Sequence, residues 1–392
     1  MAFKFDLLFE VEVPQPWEPG KEAAKFREAM EQAVFAEQMG FDTIWIVEHH
    51  FLKEFAHSSA PEVMLGALAA QTSRIRLGHG VSLMLGEVNH PIRVAERAAM
   101  IDILSEGRLE MGTGRSSSAY QVEPFGVDMA TTRDQWEEAL HLLPRLWTEE
   151  DLRYQGRFWK WDDAITVLPR PIQKPHPPLW VAMTQPDTCA IAGDHGIGLL
   201  CPAIAPPETF TAHIEAYKKA VANPTQVAGH SVNDEIGMFT VTFCADDDER
   251  ARHLGGPAGL WYISTVAQIY RNDWRGVPLE QVPDSYRYHV DMKRKRGSAN
   301  TALGVSLKGE DKEAMWKGFV DSGAFCVGDP DQVIQKVQRY RAAGADRLVS
   351  VMQLADLRHE DLMRSIELMG TQVIPKIRAS EATQTASQES AQ

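Results

Sequence analysis

Cysteine is scarce in this chain. The four present, Cys189, Cys201, Cys244 and Cys326, lie far apart among 392 residues and form no CxxC pair or other zinc-like spacing. This argues against a zinc module or a disulfide-stapled scaffold, and the thiols read as reduced. Positive charge is also short, with 40 Lys+Arg against 54 Asp+Glu and a formal net charge of −14, which disfavours nucleic acid or an anionic membrane as a partner. No 18 apolar residues run together, as a membrane-spanning helix would need. The opening MAFKFDLLFE carries Asp6 and Glu10 where a signal peptide requires an unbroken apolar stretch, so a cytoplasmic location is expected. Nucleotide fingerprints are missing too. No GxGxxG follows a strand, because Gly112-Thr113-Gly114 runs on into Arg115-Ser116-Ser117, and there is no P-loop consensus.

What is present is the composition of an ordinary globular protein, 44% hydrophobic and 24% charged. A chain of this length buries roughly 75% of its extended surface. Phe3 to Val13 alternates apolar and polar residues, which predicts a strand. From Lys21 to Met39 the apolar spacing becomes helical, Gly40 stands where a left-handed cap belongs, and Thr43 to Val47 reads as the next strand. The same joint of helix, glycine and strand recurs at Gly107, Gly196 and Gly344, before strands at Arg108 to Met111, Ile197 to Leu200 and Arg347 to Met352. With strands at Ile75 to Ser82, Leu179 to Met183 and Glu235 to Cys244, about eight strands alternate with helices. That pattern closes most economically into an α/β fold of the (β/α)8 TIM-barrel type. Two stretches exceed the minimal barrel: Ala119 to Lys174, after strand 4, and Trp274 to Asp311, before the last strand, with the basic run Lys293 to Arg296. That run reads either as a solvated loop or as a mobile lid over a bound phosphate. Asp246 to Glu249 reads as the first turn of a helix. The expected organisation is a single barrel domain over residues 1–375 and a disordered tail over 376–392, where large apolar residues run out.

In a barrel the active site lies at the C-terminal ends of the strands. Three polar clusters follow predicted strands there: Glu48-His49-His50-Phe51, Gly112 to Ser118, and Thr184-Gln185. Neighbouring residues in extended chain point to opposite faces, so His49 and His50 are poorly placed to share a metal ion, and no metal is expected. One imidazole at the pocket floor could give or take a proton, and the other could be structural. Arg115 with its serines behind Gly-x-Gly reads either as an anion cradle or as a solvated loop.

The run Gly40-Phe41-Asp42-Thr43-Ile44-Trp45-Ile46-Val47-Glu48-His49-His50-Phe51 resembles the first long motif of the bacterial luciferase-like flavin-dependent monooxygenases. His90-Pro91-Ile92-Arg93-Val94-Ala95-Glu96 through Leu104-Ser105-Glu106-Gly107-Arg108-Leu109 to Arg115 is similar to the family's third helix and fourth strand. Val327-Gly328-Asp329-Pro330 with Gly344-Ala345-Asp346 resembles its closing unit. The resemblance spans roughly Phe3 to Pro375. It implies a barrel that binds reduced FMN, which reacts with O2 to give a C4a-peroxyflavin that oxygenates a small organic substrate, the protein supplying orientation and exclusion of water.

By motif position the resemblance gives His49 the role of catalytic histidine near the flavin ring, with Glu48 and His50 beside it. Arg115 matches the arginine on the FMN phosphate, flanked by Ser116 and Ser117. Val181, Ala182 and Thr184 match the fifth-strand exit that lines ring and phosphate. Gly80 and Val81 fall where the family has a bulge, often with a non-proline cis peptide, behind the isoalloxazine. Two departures stand out: light-emitting members have cysteine where this chain has Gly114, and an acid where it has Met183, so aldehyde luminescence is not implied.

With no dinucleotide fingerprint, the resemblance implies a two-component system, in which a separate flavin reductase spends NAD(P)H and supplies FMNH2 by diffusion. It also implies a homodimer. Rival readings are F420-dependent hydride transfer within the same superfamily, a metal-dependent barrel hydrolase, which the missing HxH on the first strand weighs against, and a non-catalytic barrel subunit, which would usually lack His49.

Overall fold

The computed structural model describes residues 2–116, 118–183, 186–269, 278–281 and 311–389. Eleven strands are present among them: β1 Lys4–Phe9, β2 Thr43–Ile46, β3 Arg76–Leu83, β4 Leu109–Gly114, β5 Leu152–Gln155, β6 Lys160–Ile165, β7 Leu179–Ala182, β8 Gly198–Pro202, β9 Ile236–Cys244, β10 Cys326–Gly328 and β11 Arg347–Val351. Eight of them, in the order β1-β2-β3-β4-β7-β8-β9-β11, pair in parallel, and β11 returns to β1. The result is the closed (β/α)8 barrel that the alternation of strands and helices predicts. The extra strand β10 pairs with the upper end of β9, Cys326 opposite Thr242. β5 and β6 form an antiparallel hairpin within the insertion after β4.

The glycine joints hold. Gly40, Gly107, Gly196 and Gly344 all have positive φ, 83°, 83°, 67° and 102°, a conformation that L side chains adopt only at a cost. Successive side chains on each strand face opposite sides, so two apolar layers form. Phe5, Leu7, Ile44, Leu77, Leu109, Val181, Leu199 and Leu348 pack outward against the helices, while Leu8, Trp45, Trp180, Leu200 and Val349 fill the interior. The lower interior is also ionic. Arg347, 1% exposed, donates to Asp6 Oδ2 at 2.9 Å and Thr43 Oγ1 at 3.1 Å, pairs with Glu235, and lies 4.7 Å over the Trp180 ring. Trp45 Nε1 donates to Asp6 Oδ2 at 2.9 Å and Trp180 Nε1 to Glu110 Oε2 at 2.6 Å. This packed plug fills the lower interior of the barrel.

Three expectations need correction. The first strand ends at Phe9, not Val13: Val11 sits at φ 55°, which breaks the extended chain and turns Glu10 and Glu12 away from the sheet. Within the insertion after β4, helix Thr132–Thr148 packs on helix Pro91–Leu104 and serves as a regular crossover helix of the barrel. The segment expected to be a disordered tail is helical from Ile374 to Glu389. Its beginning is held by charge as well as apolar burial: Arg378 pairs with Asp42 at 3.0 Å, Glu381 accepts from the Phe3 amide at 2.9 Å, and Ile377 is buried. Asp248 and Glu249 do open a helix, Asp248–Ile269. Most of the insertion from Trp274 to Asp311, including Lys293 to Arg296, lies outside the described residues. Among the described residues no helix is long and apolar enough to cross a membrane.

Candidate active site

The exits of β2, β3, β4 and β7 meet at the open end of the barrel. Glu48 leaves β2 and turns sideways into the exit of β3. Its Oε2 accepts from the Leu83 amide at 2.9 Å and Ser82 Oγ at 3.2 Å, while Oε1 accepts from Asn89 Nδ2 at 2.8 Å. Asn89 is in turn held by Arg97 NH2 at 2.6 Å. His50 Nε2 lies 3.1 Å from Glu48 Oε1, so Glu48 ties the β2 and β3 exits together and uses its oxygens on protein donors. It is 6% exposed.

The His49 and His50 rings turn to different partners. Gln121 joins their bases: Oε1 accepts the His50 backbone N–H at 3.3 Å and lies 2.8 Å from His49 Nδ1. The other His49 nitrogen, Nε2, lies 3.5 Å from Glu10 Oε2. Burial holds the imidazolium of His49 below its ordinary range, so the ring is neutral near pH 7. About a quarter of the ring surface (27%) stays open. Tyr262 OH, from helix Asp248–Ile269, donates to Glu10 Oε1 at 3.3 Å. On the other side the His50 ring meets Phe125 edge-on at 4.9 Å, and Phe125 packs 5.5 Å from Phe51, both phenylalanines being exposed.

The peptide between Gly80 and Val81 is cis, and the β3 to β4 register shifts between His79 and Ser82. The bulge needs neighbours without side chains. A Cβ on Gly112 would lie 2.0 Å from the His79 carbonyl oxygen, and one on Gly114 would lie 2.5 Å from Val81 Cγ2. The Gly-x-Gly pair, expected as part of an anion cradle, thus makes room for the bulge. Arg115 follows at once, half-buried, with NH1 donating to Thr132 Oγ1 at 3.2 Å. Ser116 adopts φ 61° and its hydroxyl donates to the Ser118 carbonyl at 3.2 Å, while the buried Ser118 Oγ has no hydrogen-bond partner among the described residues. At the β7 exit Ala182 is exposed, whereas the Val181 side chain is buried in the outward layer and could offer a ligand only its backbone. Ser117 and Thr184 lie outside the described residues. No group of three or more His, Cys, Asp or Glu among the described residues is placed to hold a metal ion.

The structure therefore brings His49, Gly80, Val81, Arg115 and Ala182 to one end of the barrel and adds residues that motif reading missed. Glu10 was legible only as the polar side of the first strand. Gln121 sits in an insertion without pattern, and Tyr262 lies 252 residues from its partner Glu10.

Comparison with known proteins follows the same line. The luciferase-like monooxygenase family matches residues 7–347. The chain is 26% identical over 360 residues to the oxygenase component of flavin-dependent trigonelline monooxygenase of Acinetobacter baylyi, covering 89% of each chain. It is also 26% identical over 361 residues, 90% of this chain and 95% of the relative, to F420-dependent glucose-6-phosphate dehydrogenase of Amycolatopsis mediterranei. The crystal structure of monooxygenase RslO1 from Streptomyces bottropensis superposes with a TM-score of 0.73 at 26% identity, covering 96% of this chain and 99% of that one. Relatives of both chemistries, oxygenation and deazaflavin-linked oxidoreduction, thus share this barrel. On its matched span, its closed barrel and the bulged strand beside His49, the chain belongs to the luciferase-like monooxygenase family.

Proposed function

We propose that the protein is the oxygenase component of a two-component flavin-dependent monooxygenase, which takes reduced FMN from a separate reductase and uses O2 to oxygenate a small organic substrate. The observation that carries this reading is the juxtaposition of a partly open, neutral His49 ring with a side-chain-poor platform and a cationic rim. The platform suits a flat tricyclic ring: the Gly80-Val81 bulge is backed by Gly112 and Gly114, and Ala182 stands across from it at the β7 exit. Arg115 suits the phosphate at the other end of the cofactor, because a guanidinium grips phosphate oxygens with two parallel hydrogen bonds. Glu48 and Asn89 hold the bulge in place from behind.

Bound reduced flavin would supply the electrons that activate O2; the remaining tasks fall to the chain. His49 can accept a proton at Nε2 while Gln121 keeps Nδ1 engaged. Phe51 and Phe125 present apolar surface at the mouth, which favours exclusion of water over its admission. The oxygenase-component relative supports a separate reductase as partner. A homodimer is supported by exposed Val63, Met100 and Leu104 on the adjacent helices Pro61–Gln71 and Pro91–Leu104.

The test is an anaerobic titration with photoreduced FMN and, in parallel, with reduced F420, followed by mixing with oxygenated buffer. Tight FMNH2 binding with flavin reoxidation slower than that of free FMNH2 supports the proposal. Preference for F420 with no response to O2 would transfer the protein to the hydride-transfer branch. Rapid NAD(P)H oxidation by the purified protein alone would remove the reductase from the scheme.

A further inference from the structure

Glu10 is an acid in an unusual place. It is 4% exposed, and among the described residues no lysine or arginine pairs with it. The groups facing it are Tyr262 from helix Asp248–Ile269, His49 from the β2 exit, and Glu12 two residues along its own strand exit, whose carboxyl is raised partly by Glu10. His50 and Glu48 act on the far side of His49. A carboxylate buried without a cation takes up a proton instead of staying ionised, and burial pushes Glu10 up to about 8.

The two carboxyl oxygens differ. Oε1 accepts from Tyr262 OH at 3.3 Å, while Oε2 has no hydrogen-bond partner among the described residues and faces His49 Nε2 at 3.5 Å. The tautomer of His49 follows independently. A backbone N–H can only donate, so the Gln121 atom that receives the His50 amide is its carbonyl oxygen. The same oxygen meets His49 Nδ1 at 2.8 Å, so Nδ1 must carry a hydrogen, and the neutral ring keeps its lone pair on Nε2. The Nε2 lone pair therefore faces Glu10 Oε2, 3.5 Å away, the oxygen that a protonated Glu10 has free to carry its hydrogen.

We infer that Glu10 is a proton store for His49, an un-ionised carboxyl placed to pass its hydrogen to Nε2, so that the charge on the ring is set from within the protein without drawing a proton from water. In the transfer the Oε2–H bond of Glu10 breaks and an Nε2–H bond forms. The carboxyl becomes carboxylate, the imidazole becomes imidazolium, and no electrons leave the pair. Gln121 accepts the Nδ1 hydrogen in both states, so the ring need not turn. Glu10 is thus a positioning residue that works through His49. What His49 does with the proton rests on the flavin reading above, but the pairing of Glu10 with His49 is present in the protein alone.

The test is nitrogen NMR of the full-length protein with 15N-labelled histidine and no flavin, from pH 5 to 9.5, with the His49 signals identified by their loss in His49→Gln. The expected result is a neutral ring with hydrogen on Nδ1 and a step in the Nε2 shift near pH 8, as Glu10 loses its proton. Glu10→Gln, which keeps the shape and can still donate to Nε2, should abolish that step and preserve the tautomer. Tyr262→Phe, which removes a donor to the carboxylate, should move the step to higher pH. A wild-type ring with hydrogen on Nε2, or a step that survives Glu10→Gln, overturns the inference. The wild-type tautomer decides even if a variant fails to fold. Failure to bind reduced flavin would overturn the functional reading and leave this result untouched.

Discussion

Gly112 lies so close to the carbonyl oxygen of His79 that an added Cβ would stand 2.0 Å from it. Backbone cannot swing aside as a side chain can. Gly112→Ala is expected to destabilise the protein by about 3 kcal/mol, the upper part of the range for overpacking, read from denaturant midpoints. Gly114→Ala meets only Val81 Cγ2, at 2.5 Å, so pairing it with Val81→Ala should recover most of its loss. If the two changes added independently, the contact would not be the cause.

Arg115→Ala should weaken reduced FMN by about 1.5 to 3 kcal/mol, the range for a hydrogen bond to a charged group. Anaerobic titration measures it. Unchanged affinity would remove Arg115 from the phosphate.

His49→Ala should retain reduced-flavin binding but couple poorly, so that more of the O2 consumed appears as H2O2. A peroxide assay alongside an oxygen electrode reports the ratio. Equal peroxide yield in mutant and wild type would make His49 a spectator.

The buried acids carry a pH signature. Burial raises Glu10 from 4.5 to about 8 and raises Glu12 as well, so the folded state holds protons that the unfolded chain gives up. Stability from this source is complete below about pH 4.5 and is lost as pH rises toward 8. Urea midpoints at pH 5, 7 and 8.5 should therefore fall, and fall less steeply in Glu10→Gln. Parallel lines for the two proteins would contradict the burial argument.

Met100→Glu together with Leu104→Glu puts charge on the exposed face of helix Pro91–Leu104. In sedimentation the wild type should run as a dimer and the variant as a monomer with the same thermal transition. A monomeric wild type would dispose of the dimer proposal.

Much of the barrel was legible because its strands obey local rules. Gly40 and Gly344 mark helix ends whatever surrounds them, and the apolar periods on either side fix the element types. The Gly80-Val81 bulge and Arg115 came from motif position, since no local pattern announces a cis peptide. What escaped was tertiary. Val11 reads as one more strand residue, yet it adopts φ 55° and the strand stops at Phe9. Gln121 has no periodicity to betray it, and its worth lies in two hydrogen bonds to residues more than 70 positions earlier. The helix beyond Ile374 looked too polar to fold, because Arg378 and Glu381 anchor it with charges that a composition count treats as solvent-loving.

The ion pair between Asp6 and Arg347 joins residues 341 positions apart. At a ribosomal speed of about 5 to 20 residues per second, the first strand waits roughly 20 to 70 seconds for that partner. Until β11 arrives, β1 and β9 are bare edges, and an acid destined for the interior has no counter-ion. From the completion of β9 until β11 is made, the nascent sheet is therefore open at both edges. A truncation before β11 would leave both β1 and β9 unpaired on one side and deprive Asp6 of its guanidinium partner, 341 positions away.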